Sequence, residues 1–242
     1  MTFECNLIIP SDLSSNSILM IDRAHDKLKR FELGIQTMEY IIQEIPDSKM
    51  LIVSGLNGAY HLQNLVVNLN LENNIEFVGY ISTPEIYFKN ASLHIFPTIT
   101  EAFSMVLCET KVYGIPTILL GLDYSSNIKG GTIIIYDDTS ESLGKESIKL
   151  LKYKNMNIKL GKEARKSIKK YKNNQTLSKW IKLLLSIYND NNYKTFINNK
   201  PQIEENEYIN ILKKQIKLLK LRDESFKNIN INNFLNYSFI EK

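Results

Sequence analysis

The chain has 242 residues, 43% of them hydrophobic and 10% aromatic, and a formal net charge of +4. That length suits one globular domain plus an appendage, with apolar material enough for a core. No apolar run approaches the roughly 18 residues a membrane span needs, no secretory signal is expected from the first ten residues, and the two cysteines, Cys5 and Cys108, exclude a disulfide framework or a cysteine-built zinc site and fit a reducing cytosol.

Residues 1–16 hold Pro10 and run into a polar stretch, and they read as a connector. From Ser17 the pattern alternates strand and helix. Ile18–Ile21 is a short apolar run suited to a buried strand. Phe31, Ile35, Met38, Ile42 and Ile45 recur at helical spacing, and Pro46-Asp47 stops that helix. Met50–Val53 is the second strand and Gly55 turns the chain. Leu62, Val66 and Leu69 mark a helix, and Ile75–Val78 is a strand ending at Gly79. Thr83 before Pro84 starts a short helix, because proline suits the first helical position. Leu93–Phe96 is a strand ended by Pro97, a helix from near Phe103 to Tyr113 ends at Gly114, and Thr117–Leu120 and Thr132–Ile135 complete the strands.

Beyond Asp138 the chain turns helical and basic. Leu143, Ile148 and Leu151 belong to one helix, Gly161–Tyr171 to a second, and Leu177, Ile181, Leu184, Leu185 and Tyr188 to a third that includes Trp180, expected as a packing anchor. Between Lys145 and Lys182 lysines greatly outnumber Glu146 and Glu163, a pattern usual for a solvated helix face that also suits phosphate or an anionic membrane surface. Residues 191–242 read as an Asn-rich loop and an amphipathic helix whose stripe is Ile209, Leu212, Ile216 and Leu219. The expected domains are therefore 1–16, 17–190 and 191–242.

Strands alternating with helices predict an α/β fold, a Rossmann-like parallel sheet with helices on both faces, followed by a helical extension. Ligands bind such sheets at the carboxyl ends of strands. That rule selects Arg23, Gly55, Gly79 and the Pro97–Glu101 loop. The last of these opens the stretch Pro97–Thr110, which carries Glu101 and Glu109 and is followed by Tyr113-Gly-Ile-Pro116. At about 100° per residue, eight steps return the second carboxylate near the face of the first. Phe103, Ser104 and Met105 at the helix start expose backbone N–H groups, an anion site. His25, His61 and His94 have neither triad nor metal spacing, and His94, inside Leu-His-Ile-Phe, is expected to be a satisfied core residue.

The Glu101–Glu109 stretch resembles the Glu-x7-Glu region of retaining family-4 glycosyltransferases of the two-domain GT-B fold. The outline extends from about Ser17 to Tyr188. Ile21–Arg30 is similar to the family's Gly-Arg…Lys-Gly element. Met50–Gly55 and Ile75–Gly79 look like its next strand-turn segments, and Leu160–Arg165 and Trp180 like its C-terminal helices. The resemblance implies the sugar-nucleotide-binding half of such an enzyme. It gives Arg23 and Lys29 to the donor diphosphate, Glu101 to the transferred sugar, Phe103–Met105 to phosphate and sugar, and Glu109 to the ribose. Gly55, Gly79, Tyr80 and Ile81 would border the donor. The chain departs from the family at Asp22, Arg30 and Ser104, where the family has glycine.

No Asp-x-Asp occurs, so neither a metal nor another cofactor is expected. The expected partners are a nucleotide sugar and a glycan, lipid or protein acceptor; only about sixteen residues precede the first strand, so either the chain is a fragment, or a separate chain supplies the acceptor domain, or the chain is inactive alone. The expected location is the cytoplasm, with peripheral contact at the inner face of a membrane through the basic helices. The rivals are an inactive sugar-nucleotide-binding module or partner subunit, and a nucleic-acid binder. The last is disfavoured because no aromatic platforms interleave the lysines.

Overall fold

The structure is a computed structural model that describes residues 8–55, 57–101, 103–121, 129–171 and 173–189; among these, the side chains of residues 170, 173–177 and 187–189 are outside the description. The chain divides into two units, residues 1–179 and 180–242.

The elements follow in the order β1 (Ser17–Ile21), α1 (Phe31–Glu44), β2 (Lys49–Val53), α2 (Tyr60–Asn68), β3 (Ile75–Phe77), α3 (Glu85–Asn90), β4 (Leu93–Phe96), α4 (Met105–Val112), β5 (Thr117–Leu120), β6 (Thr132–Ile135), α5 (Ser140–Lys152), α6 (Lys154–Ile168) and α7 (Asn173–Asn189). The strands form one parallel sheet in the order β3-β2-β1-β4-β5-β6. The chain builds outward from β1 to β3, then returns to lay β4 beside β1. The crevice at the carboxyl ends of β1 and β4 is therefore the topological switch point, where open α/β sheets bind ligands.

Both sheet faces are covered, since every residue of β4 and β5 is buried. One face carries the main core, in which Ile18, Met20, Ile52 and Ile95 meet Phe31, Ile35, Met38 and Ile41 of α1 and Leu143 and Leu150 of α5. The other joins Leu19 and Val53 to Phe88, Tyr113 and Ile115. Helices α1 and α5 meet closely at Gly144, where a Cβ would lie 2.8 Å from the Tyr40 Cβ.

Most expected elements are present within a residue or two, but α6, expected over Gly161–Tyr171, runs from Lys154 to Ile168 with Gly161 inside it, and other differences are informative. Helix α3 begins at Glu85 and Pro84 takes the cap position, so Thr83 does not cap it. Helix α4 begins at Met105, later than Phe103, because the Ser104 hydroxyl caps it by accepting from the Leu107 N–H at 3.1 Å. Ile41, rather than Ile42, is fully buried on α1. Ser11 and Leu13, in the stretch expected to connect, are buried, and the Ser11 hydroxyl donates to the Ala91 carbonyl at 2.7 Å. Cys108 is fully buried. Trp180, Ile181 and Leu184, in the end of α7 that belongs to the second unit, are exposed, so the expected anchor role of Trp180 is not seen there. The stripe Ile209–Leu219 lies outside the described residues. Among the described residues no helix is long and apolar enough to cross a membrane.

Candidate nucleotide-binding cleft

The switch point is built by two loops lashed together. After β1 the chain passes Asp22 and Arg23 and forms a short 3-10 turn, Lys27–Lys29, whose cap is the Asp26 side chain accepting from the Leu28 N–H at 3.0 Å. The Leu28 carbonyl then accepts from the Ile99 N–H at 3.0 Å and from the Thr98 hydroxyl at 3.2 Å, both in the loop after β4. A third loop joins through Ser54, whose hydroxyl accepts the Ala24 N–H at 2.8 Å. These backbone ties bring residues 72 positions apart into contact: the Lys29 Nζ donates to Glu101 Oε2 at 2.7 Å. It also lies 3.0 Å from Asp22 Oδ2. The Lys29 side chain is 7% exposed, and those of Asp22 and Glu101 15% and 18%. Burial pulls the Lys29 pKa down, but its hydrogen bonds to Glu101 and Asp22 outweigh that and hold it above the usual lysine value. Lys29 is thus a fixed, charged ammonium in the crevice.

Beside it opens a cleft of about 560 Å³, lined by Asp22, Arg23, Val53, Gly55, Tyr80 and Ile81 among others. The carboxyl ends of β1, β2 and β3 supply these residues. Gly55 leaves its side open: a Cβ there would meet only the Tyr80 Cβ, at 3.9 Å. Gly79 is required by its backbone rather than by space, since its φ is +85° and a Cβ would meet nothing within 4 Å. Tyr80 is 81% exposed, an aromatic ring presented at the cleft. The Arg23 guanidinium, largely exposed, lies 3.3 Å from Asp26 Oδ2.

The expected anion site before α4 is only partly available, because Ser104 is buried and its hydroxyl already takes the Leu107 N–H. Phe103 and Met105 are exposed, with Phe103 edge-on to Tyr171. The two glutamates serve different places. Glu101 precedes α4 by four residues, so counting helical turns from it does not apply, and its carboxylate is taken by Lys29. Glu109, on α4, is half-buried; burial raises its pKa and the nearby Glu85 carboxylate raises it further. Arg30 is held in an ion pair with Asp138. His94 is buried as expected but only half satisfied, with Nδ1 3.3 Å from Thr117 Oγ1 and no hydrogen-bond partner at Nε2. Sequence reasoning missed the pairing of Lys29 with Asp22, of Arg23 with Asp26 and of Arg30 with Asp138. The first two partners are close in sequence, so the run Asp22–Lys29 carried a signal; Asp138 gave none.

A parallel α/β sheet with a buried cation at its switch point and an open cleft beside it is the architecture of one half of a GT-B fold. Residues 8–167 match the family of group 1 glycosyl transferases, and the chain belongs to that family. It is 22% identical over 117 residues to an uncharacterized glycosyltransferase of Haemophilus influenzae, a stretch covering 47% of this chain and 33% of that relative. Its fold is similar to that of an S. aureus TarM mutant in complex with Fondaparinux, alpha-GlcNAc-glycerol and UDP (TM-score 0.65, 20% identity, 73% of this chain and 36% of that one). It is also similar to the C-terminal domain of a group 1 glycosyl transferase, LpcC of Francisella tularensis (TM-score 0.61, 14% identity), covering 70% of this chain and 98% of that one. The chain therefore spans about a third of the length of the first two relatives.

Proposed function

We propose that this chain is the donor-binding, C-terminal half of a retaining family-4 glycosyltransferase, and that the cleft holds the diphosphate of a nucleotide-activated sugar. The observation that carries this is the buried Lys29 ammonium fixed against Glu101 at the switch point, beside an open cleft. A departing nucleoside diphosphate gains negative charge, and fixed cations aimed at it lower the barrier. Lys29, with Arg23 at the cleft edge, supplies that charge without a metal. Glu101, at the end of the loop after β4, contacts the transferred sugar. Phe103–Met105 meet the phosphate and sugar, Glu109 the ribose, and Gly79–Ile81 with Gly55 border the base.

The acceptor, a glycan, lipid or protein, enters from a second domain across the cleft. Transfer with retention follows when leaving phosphate and acceptor share one face of the sugar. The work belongs to glycan or polysaccharide synthesis in the cytoplasm, with the basic helices against the inner face of a membrane. One observation favours a second reading, an inactive binding module: in this structure Lys29 and Arg23 both sit against carboxylates.

Calorimetry with UDP, ADP and GDP in the presence of EDTA tests the proposal. At least one nucleotide should bind, and Lys29→Met should weaken it tenfold or more, equivalent to about 1.4 kcal/mol. Binding of none, or binding indifferent to Lys29→Met, would overturn it. Slow donor hydrolysis without transfer by the chain alone separates the half-enzyme from the inactive module, which does neither.

A further inference from the structure

The loop after β1 has its anion-binding groups filled by its own carboxylates. Asp22 Oδ1 accepts the Arg23 backbone N–H at 2.8 Å, and Asp22 Oδ2 takes the Lys29 ammonium at 3.0 Å. A backbone N–H and a lysine ammonium converging on one pair of oxygens is how a protein holds a phosphate. Asp26 repeats the arrangement one turn on, with Oδ1 on the Leu28 N–H and Oδ2 on the Arg23 guanidinium at 3.3 Å. The contact cluster therefore contains three carboxylates, Asp22, Asp26 and Glu101, against two cations, Arg23 and Lys29. An entering diphosphate finds the Lys29 ammonium already held by carboxylates.

Asp26 caps the turn, so it does not leave without disturbing the backbone, and Glu101 holds Lys29 from the β4 loop. Asp22 is held by the Arg23 N–H and by Lys29. It lines both the open cleft and the small cavity that Lys29 also lines, so rotation of its side chain is enough to uncover Lys29.

We propose that Asp22 is a stand-in anion, a carboxylate that occupies the phosphate position in the empty cleft and must be displaced by a nucleoside diphosphate. Asp22 thereby sets the affinity of the cleft for phosphate against the rest of the ligand. This rests on the donor-site reading above. The cleft takes up a diphosphate only when base and sugar contacts also favour it, and free inorganic phosphate competes poorly.

The test is calorimetry at fixed ionic strength with UDP and uridine, on the wild type, Asp22→Asn, Lys29→Met and the double variant. Asp22→Asn keeps an acceptor for the Arg23 N–H and removes the charge. It should tighten UDP about tenfold and leave uridine unchanged. The gain should vanish in the Lys29→Met background, because only competition for Lys29 couples the two residues. Asp22→Ser, smaller and uncharged, should show the same gain, which guards against one poorly folded variant. A wild type that binds UDP through Lys29, with no gain in either Asp22 variant, would overturn this inference and leave the site reading standing. A gain for uridine as large as for UDP, or one that persists without Lys29, would also overturn it. If no variant binds UDP, ADP or GDP, the inference falls together with the donor site.

Discussion

Mild acid should destabilise this domain through one histidine. His94 lies in β4, the strand that carries the Pro97–Glu101 loop, and it is fully buried. Burial lowers its pKa from 6.5 to about 3, and the charge of Lys111 adds to the effect. The unfolded chain accepts a proton near pH 6.5, whereas the folded chain refuses it until about pH 3. Between those values the unfolded state binds more protons, so stability is full above pH 6.5 and falls as pH drops. Each pH unit in that window costs about 1.4 kcal/mol, so going from pH 7 to pH 5 costs about 2 kcal/mol. That is a large share of the roughly 5–15 kcal/mol that holds a domain together. Urea unfolding at both pH values, on the wild type and on His94→Gln, measures it. Glutamine retains a hydrogen-bonding group for Thr117, and the titrations of other groups cancel in the comparison. The wild type should lose about 2 kcal/mol more than the variant. Equal losses would show that His94 ionises in the folded chain and that its burial does not govern its charge.

Other substitutions have equally definite outcomes. Arg30 sits at φ +51°, a left-handed conformation that costs a non-glycine residue about 1 kcal/mol. Thermal melts should therefore rank Arg30→Gly about 1 kcal/mol more stable than Arg30→Ala, the reverse of ordinary helix propensity; the opposite order would refute the strain. Gly131 has φ +68° and a Cβ there would lie 2.3 Å from the Ala164 Cβ, so Gly131→Ala should cost roughly 3 kcal/mol or more in urea unfolding. In binding assays Glu109→Ala should weaken UDP itself, whereas Glu101→Ala should weaken a UDP-sugar more than UDP. Equal losses for both ligands in both variants would remove the division of roles.

The sheet was legible in the sequence wherever burial is complete. Leu93–Phe96 and Thr117–Leu120 lie buried on both faces, and their largely apolar residues mark them. The start of α4 was less legible, because Phe103 looks like part of the helical stripe until the Ser104 cap is seen. Arg23, Lys29 and Glu101 were picked out by motif, and the fold brings Lys29 and Glu101 together. Their contact depends on the Leu28 carbonyl binding the β4 loop, a backbone tie that no side-chain pattern announces. Arg30 shows the same limit from another side. The position favours glycine because its backbone is left-handed, and the arginine found there is held by an aspartate 108 residues away.

The most direct test of the donor-site account is a crystal structure of the chain grown with UDP or a UDP-sugar. The account predicts the diphosphate at the carboxyl ends of β1 and β4 against Lys29, with Asp22 turned aside and the base near Gly55, Tyr80 and Ile81. A nucleotide bound elsewhere, for instance along the lysines of α6, with the Asp22–Lys29–Glu101 contacts intact, would contradict it.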